Sequence, residues 1–122
     1  MTKQPFTCPC CGYRTLSEFP GSCEICHVCF WEDDQVQILD PWYPGGANKV
    51  SLVEAQKNFE WFGACDEQAR MFVKGILPGD ERDPEWRPAE DIDCHIVKTP
   101  RDIAELEWNN LNAWYYWRNN VV

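Results

Sequence analysis

The feature that most constrains this chain is a cluster of six cysteines between residues 8 and 29, out of eight in 122 residues. Cys8 and Cys11 form one C-x-x-C pair, and Cys26 and Cys29 form a second pair after fourteen intervening residues. In a C-x-x-C turn both thiolates can reach one ion at about 2.3 Å, and two such turns complete a tetrahedron. Gly12 follows the first pair, where the chain must turn tightly. We therefore predict one structural zinc ion bound by these four cysteines.

Three other uses of the cysteines compete with structural zinc. A disulfide framework would suit a secreted chain, but the opening residues MTKQPFTCPC contain no apolar leader, so we expect a reducing cytoplasm in which thiols persist. The same four thiolates could instead hold iron for electron transfer, as in a rubredoxin-like site. Redox chemistry at a C-x-x-C usually needs a βαβ setting, and the sequence pattern lacks one. Ligand type and spacing favour zinc, with iron as the alternative.

Two further cysteines in the same segment, Cys10 and Cys23, are alternative candidates for metal ligands. Cys10 lies inside the first pair, where we expect its side chain to point away from the ion. Cys23 has C-x-x-C spacing to Cys26, but it follows a turn-forming loop, which favours the Cys26/Cys29 pair. His27 lies between two ligands and is interpreted as an exposed residue of the turn. The sequence leaves open whether Cys10, Cys23 or His27 takes part in metal binding.

The stretches CPCCGYRTL, EICHVCFWEDD and GGANKVSLVEAQKNFEWFGACDEQ together closely resemble the bacterial cysteine-rich CPCC family. The resemblance extends over roughly residues 8 to 68. It implies that Cys8, Cys11, Cys26 and Cys29 occupy the paired positions of the family motif. It implies little about activity, because the family is defined by its motif. The chain departs from the usual pattern in having Cys23, and in having His27 where proline is common.

Length and charge limit the fold and the partners. At 122 residues we expect one domain over residues 1–122, with a zinc-knuckle part at 1–40 and a mainly helical part at 41–122. The net charge of −9 argues against nucleic acid, whose phosphates need a basic surface. No apolar run approaches the roughly 20 residues of a membrane span. The fold class that we predict is small α+β: an N-terminal zinc-ribbon-like unit packed on about three α-helices.

Short strands are predicted at residues 14–16, 28–31 and 36–39, where apolar residues recur in brief runs. Residues 77–93 combine prolines with many charges, and they predict an irregular acidic loop anchored by Trp86.

Three helices are predicted downstream. The first begins at Ser51, which forms a capping box with Glu54, and ends at Gly63. Trp61 falls on the face opposite its apolar stripe. A second, shorter helix begins at Asp66, and a third is capped by Thr99.

The sequence contains no Ser/His/Asp signature, phosphate-binding glycine loop or histidine-rich metal site, so we expect no enzymatic activity. Four thiolate ligands would leave no open coordination position, which indicates a structural ion. We predict a non-enzymatic, zinc-stabilised protein-binding module. A small acidic protein with aromatic patches fits an inhibitor or immunity role against a basic toxin domain. The alternative is a rubredoxin-like iron electron carrier.

The candidate partner-binding residues are acidic or aromatic: Glu32, Asp33, Asp34, Trp86, Trp108 and Tyr115. The first three form an acidic run directly after the second cysteine pair, and its competing interpretation is a solvated turn. The last two belong to a second aromatic stripe on the final helix. That stripe predicts an interface with a partner or with a second copy of the chain, unless the helix is simply central in the core.

Overall fold

A computed structural model describes residues 6–91 and 111–118. Two short strands, β1 (Phe6–Thr7) and β2 (Arg14–Leu16), pair in antiparallel fashion on either side of the first cysteine pair. Phe6 lies opposite Leu16 and Thr7 opposite Arg14, with a register irregularity between them. The predicted strand at 14–16 is confirmed. The predicted strand at 28–31 is wrong: these residues form a turn, beside an isolated bridge between Ile25 and Glu32.

The segment predicted as a strand at 36–39 is a helix instead, α1 (Gln35–Leu39). Asp34 decides this, because its Oδ1 accepts hydrogen bonds from the backbone amides of Val36 at 2.8 Å and Gln37 at 3.0 Å. These amides lack partners inside the helix, so the aspartate cap stabilises its first turn. The apolar residues of α1 then face the core, where Ile38 and Leu39 are buried.

The first predicted helix is confirmed as α2 (Leu52–Phe62). The Ser51 hydroxyl accepts a hydrogen bond from the Glu54 amide at 3.2 Å, as the capping box predicts. Gly63 closes the helix in the left-handed conformation with φ of 82°, and its amide donates to the Phe59 carbonyl. Leu52 and Ala55 are buried on the inner face.

The second predicted helix is reduced to one 3₁₀ turn (Gln68–Met71), which Asp66 caps through a 2.8 Å hydrogen bond from the Ala69 amide. The turn does not continue into a helix, and Phe72 and Ile76, predicted on the buried face of that helix, are exposed. Only the end of the third predicted helix lies within the described residues. There the chain forms α3 (Leu111–Trp114) and a further 3₁₀ turn (Tyr116–Arg118). Its predicted start at Thr99 lies outside the described residues, so three full helices are not confirmed.

The core is a single cluster in which the cysteines pack with aromatic and aliphatic side chains from all of these elements. Its largest buried members are Trp31, Trp114, Tyr115, Tyr116, Ile38, Leu39 and Leu52. The protein is therefore a small α+β domain with a cysteine cluster in its interior. Within residues 6–91 and 111–118, no helix combines the length and apolarity needed to cross a membrane.

Candidate metal centre

Four cysteine sulfurs meet in the interior of the protein. The Sγ atoms of Cys8, Cys11, Cys26 and Cys29 all lie within 4.8 Å of one another, with Cys8–Cys29 at 3.6 Å and Cys11–Cys26 at 3.7 Å. Four sulfurs placed about 2.3 Å from a tetrahedral zinc ion are separated by about 3.8 Å. All four cysteines are 0 % exposed. The donor set and its spacing thus fit a metal ion, and the four cysteines could bind one.

The two cysteine pairs are built by the same backbone pattern. In the first, the Gly12 amide donates to the Cys8 carbonyl at 2.8 Å, and the Cys8 amide donates to the carbonyl of the residue after Gly12 at 2.9 Å. In the second, the Phe30 amide donates to the Cys26 carbonyl at 2.8 Å, and the Cys26 amide donates to the carbonyl of the following Trp31 at 2.9 Å. Both turns are zinc-knuckle turns in this respect, and each directs its two thiols to the same point.

The turns share a left-handed residue after the second cysteine. Gly12 has φ of 79° and Phe30 has φ of 71°. Glycine adopts this conformation freely, whereas for a bulky side chain it is strained. The Phe30 ring stacks on Phe72 with centroids 5.3 Å apart, so the 3₁₀ turn after α2 packs against the strained position. The second knuckle therefore depends on packing from outside the cysteine segment.

The electrostatics of the cluster call for a cation. Burial raises the pKa of Cys8, Cys11 and Cys29 well above the ordinary thiol value. The pKa of Cys26 is lowered, mainly by hydrogen bonding from Cys11 and then from the other two thiols. The Thr15 hydroxyl, 2.9 Å from Cys26 Sγ, also stabilises this thiolate. Four buried thiolates together would need a cation, and binding of a metal ion would release protons from the thiols.

The residues that the sequence left open lie outside this group of four. Cys23 is exposed, with φ of 67°. His27 is half-buried rather than exposed, because its Nε2 lies 2.7 Å from Asp80 Oδ2. Cys10 is buried. The pKa of Cys29 is raised first by burial and then by a hydrogen bond with the Cys10 thiol. The structure thus favours Cys26/Cys29 over Cys23/Cys26 as the second pair.

Residues 81–86 hold the first knuckle from outside, a contact that local sequence patterns could not predict. The Arg82 Nε donates to the Cys11 carbonyl at 3.0 Å, and the Asp83 amide donates to the Gly12 carbonyl at 2.7 Å. The Trp86 Nε1 donates to the Pro9 carbonyl at 2.9 Å. Trp86 therefore anchors its loop as predicted, and it does so on the backbone of the metal-binding turn.

The acidic run is part of the loop structure, and its middle residue is buried instead of exposed to a partner. Asp33 is 1 % exposed, and its Oδ2 accepts hydrogen bonds from the amides of Gly21 and Ser22 and from the Ser22 hydroxyl. Asp34 caps α1, and its Oδ2 accepts from the Ala47 amide at 2.7 Å. Both carboxylates are thus committed to loop structure, because short polar side chains after a knuckle can bind nearby backbone amides. Glu32 is half-buried, with its backbone paired to an asparagine side chain.

The aromatic candidates near the C-terminal end are corrected in the same way. Tyr115 is 1 % exposed, its hydroxyl accepts a hydrogen bond from the Thr7 amide at 3.1 Å, and its ring stacks on Trp117. It is a core residue because it joins this segment to β1, and it cannot contact a partner in this structure. Trp108 lies outside the described residues.

The structure exposes a different set of large apolar side chains, carried by the end of α2 and the stretch that follows it. Trp61 and Met71 are 83 % and 82 % exposed. We call the set the apolar surface: Trp61, Met71, Phe72, Ile76 and Leu77. Trp61 was recognisable from its position opposite the apolar stripe of α2. Phe72 and Ile76 fall on the predicted apolar face of the second helix, which the structure reduces to one 3₁₀ turn.

These features define a small α+β protein built around a buried four-cysteine cluster that could bind a metal ion. A sequence model of the family described as Cysteine-rich CPCC matches residues 6–80, more than half of the chain. The chain therefore belongs to the cysteine-rich CPCC family, as its motifs indicate. No curated protein matches the sequence.

Proposed function

We propose that the protein is a non-enzymatic protein-binding module whose fold is held by one zinc ion at Cys8, Cys11, Cys26 and Cys29. The observation that carries this proposal is the complete burial of the four sulfurs. A catalytic zinc keeps one position open to water or substrate, whereas four buried thiolates fill the coordination sphere. Zinc in such a site contributes free energy to folding and leaves chemistry to other groups.

The binding role is supported by the apolar surface. Isolated exposed apolar side chains are normal, but five large ones within seventeen consecutive residues are more than solubility favours. This stretch also packs on the second knuckle, through the Phe72–Phe30 stack and through the Lys74 amide, which donates to the His27 carbonyl at 2.9 Å. The zinc would therefore fix the shape of the surface that meets the partner.

The chemistry of the partner is suggested by charge. A net charge of −9 would steer the approach of a basic protein and repel nucleic acid. A basic toxin domain neutralised by a small acidic inhibitor or immunity protein is a partner of this kind. Steering acts on the association rate and fades with salt, whereas buried aromatic anchors act on dissociation.

The experiment is a pull-down from the source cell, followed by binding kinetics on the captured protein. Trp61→Ala should speed dissociation by an amount equivalent to about 2 kcal/mol if Trp61 is a hot spot. Ile25→Ala is the matched control, since Ile25 is also exposed but lies outside the apolar surface. Equal effects of the two variants, an acidic partner, or DNA or RNA as the sole ligand would refute the proposal.

The second candidate is a rubredoxin-like iron electron carrier, because an all-thiolate donor set can also hold iron. The absorption spectrum of the purified protein separates the two, because zinc thiolate is colourless and ferric thiolate is red. A red protein with reversible one-electron reduction would establish the iron site.

A further inference from the structure

A groove of about 440 Å³ lies between α2 and residues 82–89, and its lining shares no residue with the apolar surface. Its size is within the range of small-molecule sites, which is roughly 300–1,000 Å³. Apolar walls are supplied by Phe59, Trp86 and Pro88, and charged groups by Lys57, Glu60 and Arg82. A chain of net charge −9 thus carries two cations and one anion in a single groove.

The Arg82 side chain is exposed, and three contacts orient its guanidinium. Its central carbon lies 4.9 Å from the Trp86 ring centroid and 5.3 Å from that of Tyr13, and its Nε donates to the Cys11 carbonyl at 3.0 Å. Within residues 6–91 and 111–118, its two outer nitrogens have no hydrogen-bond or ion-pair partner. A planar fork held by two aromatic rings is pre-organised for two parallel hydrogen bonds to a carboxylate.

Lys57 adds a second unpaired cation on the wall formed by α2, since none of the described carboxylates forms an ion pair with it. Glu60 lies one helical turn further along the same wall and would repel a second negative charge. The net charge of the lining is therefore +1, which suits a monoanion better than a phosphate ester. The Trp86 and Phe59 side chains in the lining suit an apolar or aromatic group beside that charge.

We propose that this groove binds a small aromatic or apolar monocarboxylate, with Arg82 holding the carboxylate and Trp86 and Phe59 contacting the apolar part. The site is built on the first cysteine knuckle, because Arg82 and Trp86 are both hydrogen-bonded to its carbonyls. It is separate from the protein-binding surface proposed above, so either proposal can fail while the other stands.

The test is an NMR titration of the full, metal-loaded chain with phenylacetate, observed at the Trp86 indole N–H. Phenylacetamide is the matched neutral ligand, and acetate is the matched ligand without a ring. Phenylacetate should give a saturable shift, and both other ligands should bind at least about tenfold more weakly, since each lacks one of the two recognised groups.

Two variants assign the residues. Arg82→Gln should weaken phenylacetate binding by about tenfold or more, the value of a charge-assisted hydrogen bond. Lys57→Gln removes no hydrogen bond or ion pair within the described residues, and it should weaken phenylacetate binding severalfold. This variant keeps the test valid if Arg82→Gln disturbs the first knuckle. Lys74→Gln, outside the groove, should leave binding unchanged.

Equal binding of phenylacetamide, a non-saturable response, or wild-type affinity in folded Arg82→Gln or in Lys57→Gln would overturn the proposal.

Discussion

At the scale of single residues, the structure separates two roles that glycine can have in a tight turn. Gly12 and Gly79 both adopt a left-handed conformation, with φ of 79° and 93°. Only Gly12 is also covered: a Cβ there would lie 2.6 Å from the Trp86 ring, whereas a Cβ at Gly79 would have nothing within 4 Å. Gly12 is therefore required by conformation and by the close approach of residues 81–86.

Gly12→Ala should lower the free energy of unfolding by about 2–4 kcal/mol, combining left-handed strain with overpacking against Trp86. Gly79→Ala carries the strain alone and should cost about 1–2 kcal/mol. Denaturant unfolding of both variants measures the difference. Equal losses would show that Trp86 does not press on the knuckle.

Tyr115→Phe tests the assignment of Tyr115 to the core instead of an interface. The change leaves the buried Thr7 amide without its acceptor, so we expect a loss of about 1–2 kcal/mol at neutral pH. Tyr43→Phe, at a partly exposed side chain, is the control and should cost little.

The same variant has a pH signature. Burial raises the pKa of Tyr115 from 10.0 to about 12, so the folded state favours the neutral phenol. As pH rises from 10 towards 12 the unfolded chain ionises first, and stability falls across that window. Tyr115→Phe should lose less stability than wild type between these values. A parallel pH dependence in the two proteins would place Tyr115 in solvent.

At the scale of elements, sequence patterns succeed where the signal is local and fail where a distant segment decides. The capping box at Ser51 and the left-handed Gly63 bound α2 correctly, because both act within one turn of the helix. The Val36–Leu39 run has no clear period, and the cap at Asp34 determines its helical form. Residues 81–86 have no periodicity at all, yet they form hydrogen bonds to the first knuckle, which lies about seventy residues away in sequence.

Asp34→Ala tests the structural role of the acidic run. It removes acceptors for the amides of Val36, Gln37 and Ala47, so we expect a loss of about 2 kcal/mol, at the upper end for an N-cap. Ser51→Ala removes a single capping bond and should cost about 1 kcal/mol. Thermal unfolding followed by circular dichroism measures both. An unchanged stability in Asp34→Ala would return this carboxylate to the candidate partner surface.

At the scale of the whole molecule, the four cysteines and the core are one unit. The cysteine spacing, together with the turn-forming residues before Cys23, favoured the four sulfurs that meet, because C-x-x-C turns impose local geometry. It could not predict that they lie at the centre of the core, since that depends on aromatic residues from the far end of the chain, such as Trp114 and Tyr116. The burial of Asp33 and Tyr115 escaped the sequence analysis for the same reason, since it depends on long-range packing.

A metal ion bound by these four buried cysteines would make metal binding and folding a single equilibrium. Removing one ligand leaves three buried thiols that no longer complete a site, and the binding free energy lost is folding free energy. Cys10 is equally buried and lies within the same C-x-x-C turn, but it is outside the group of four. Cys8→Ala and Cys10→Ala are therefore a matched pair of variants. Each removes one fully buried thiol, but only Cys8 belongs to the group of four.

The measurement that tests the central claim most directly is the metal content of the purified protein and of these two variants, determined by elemental analysis alongside thermal unfolding. We expect about one zinc per chain in wild type and in Cys10→Ala, since four thiolates form one closed site. We expect loss of zinc and of cooperative unfolding in Cys8→Ala. Iron in place of zinc, a folded protein without metal, or zinc retained by Cys8→Ala and lost by Cys10→Ala would contradict the account.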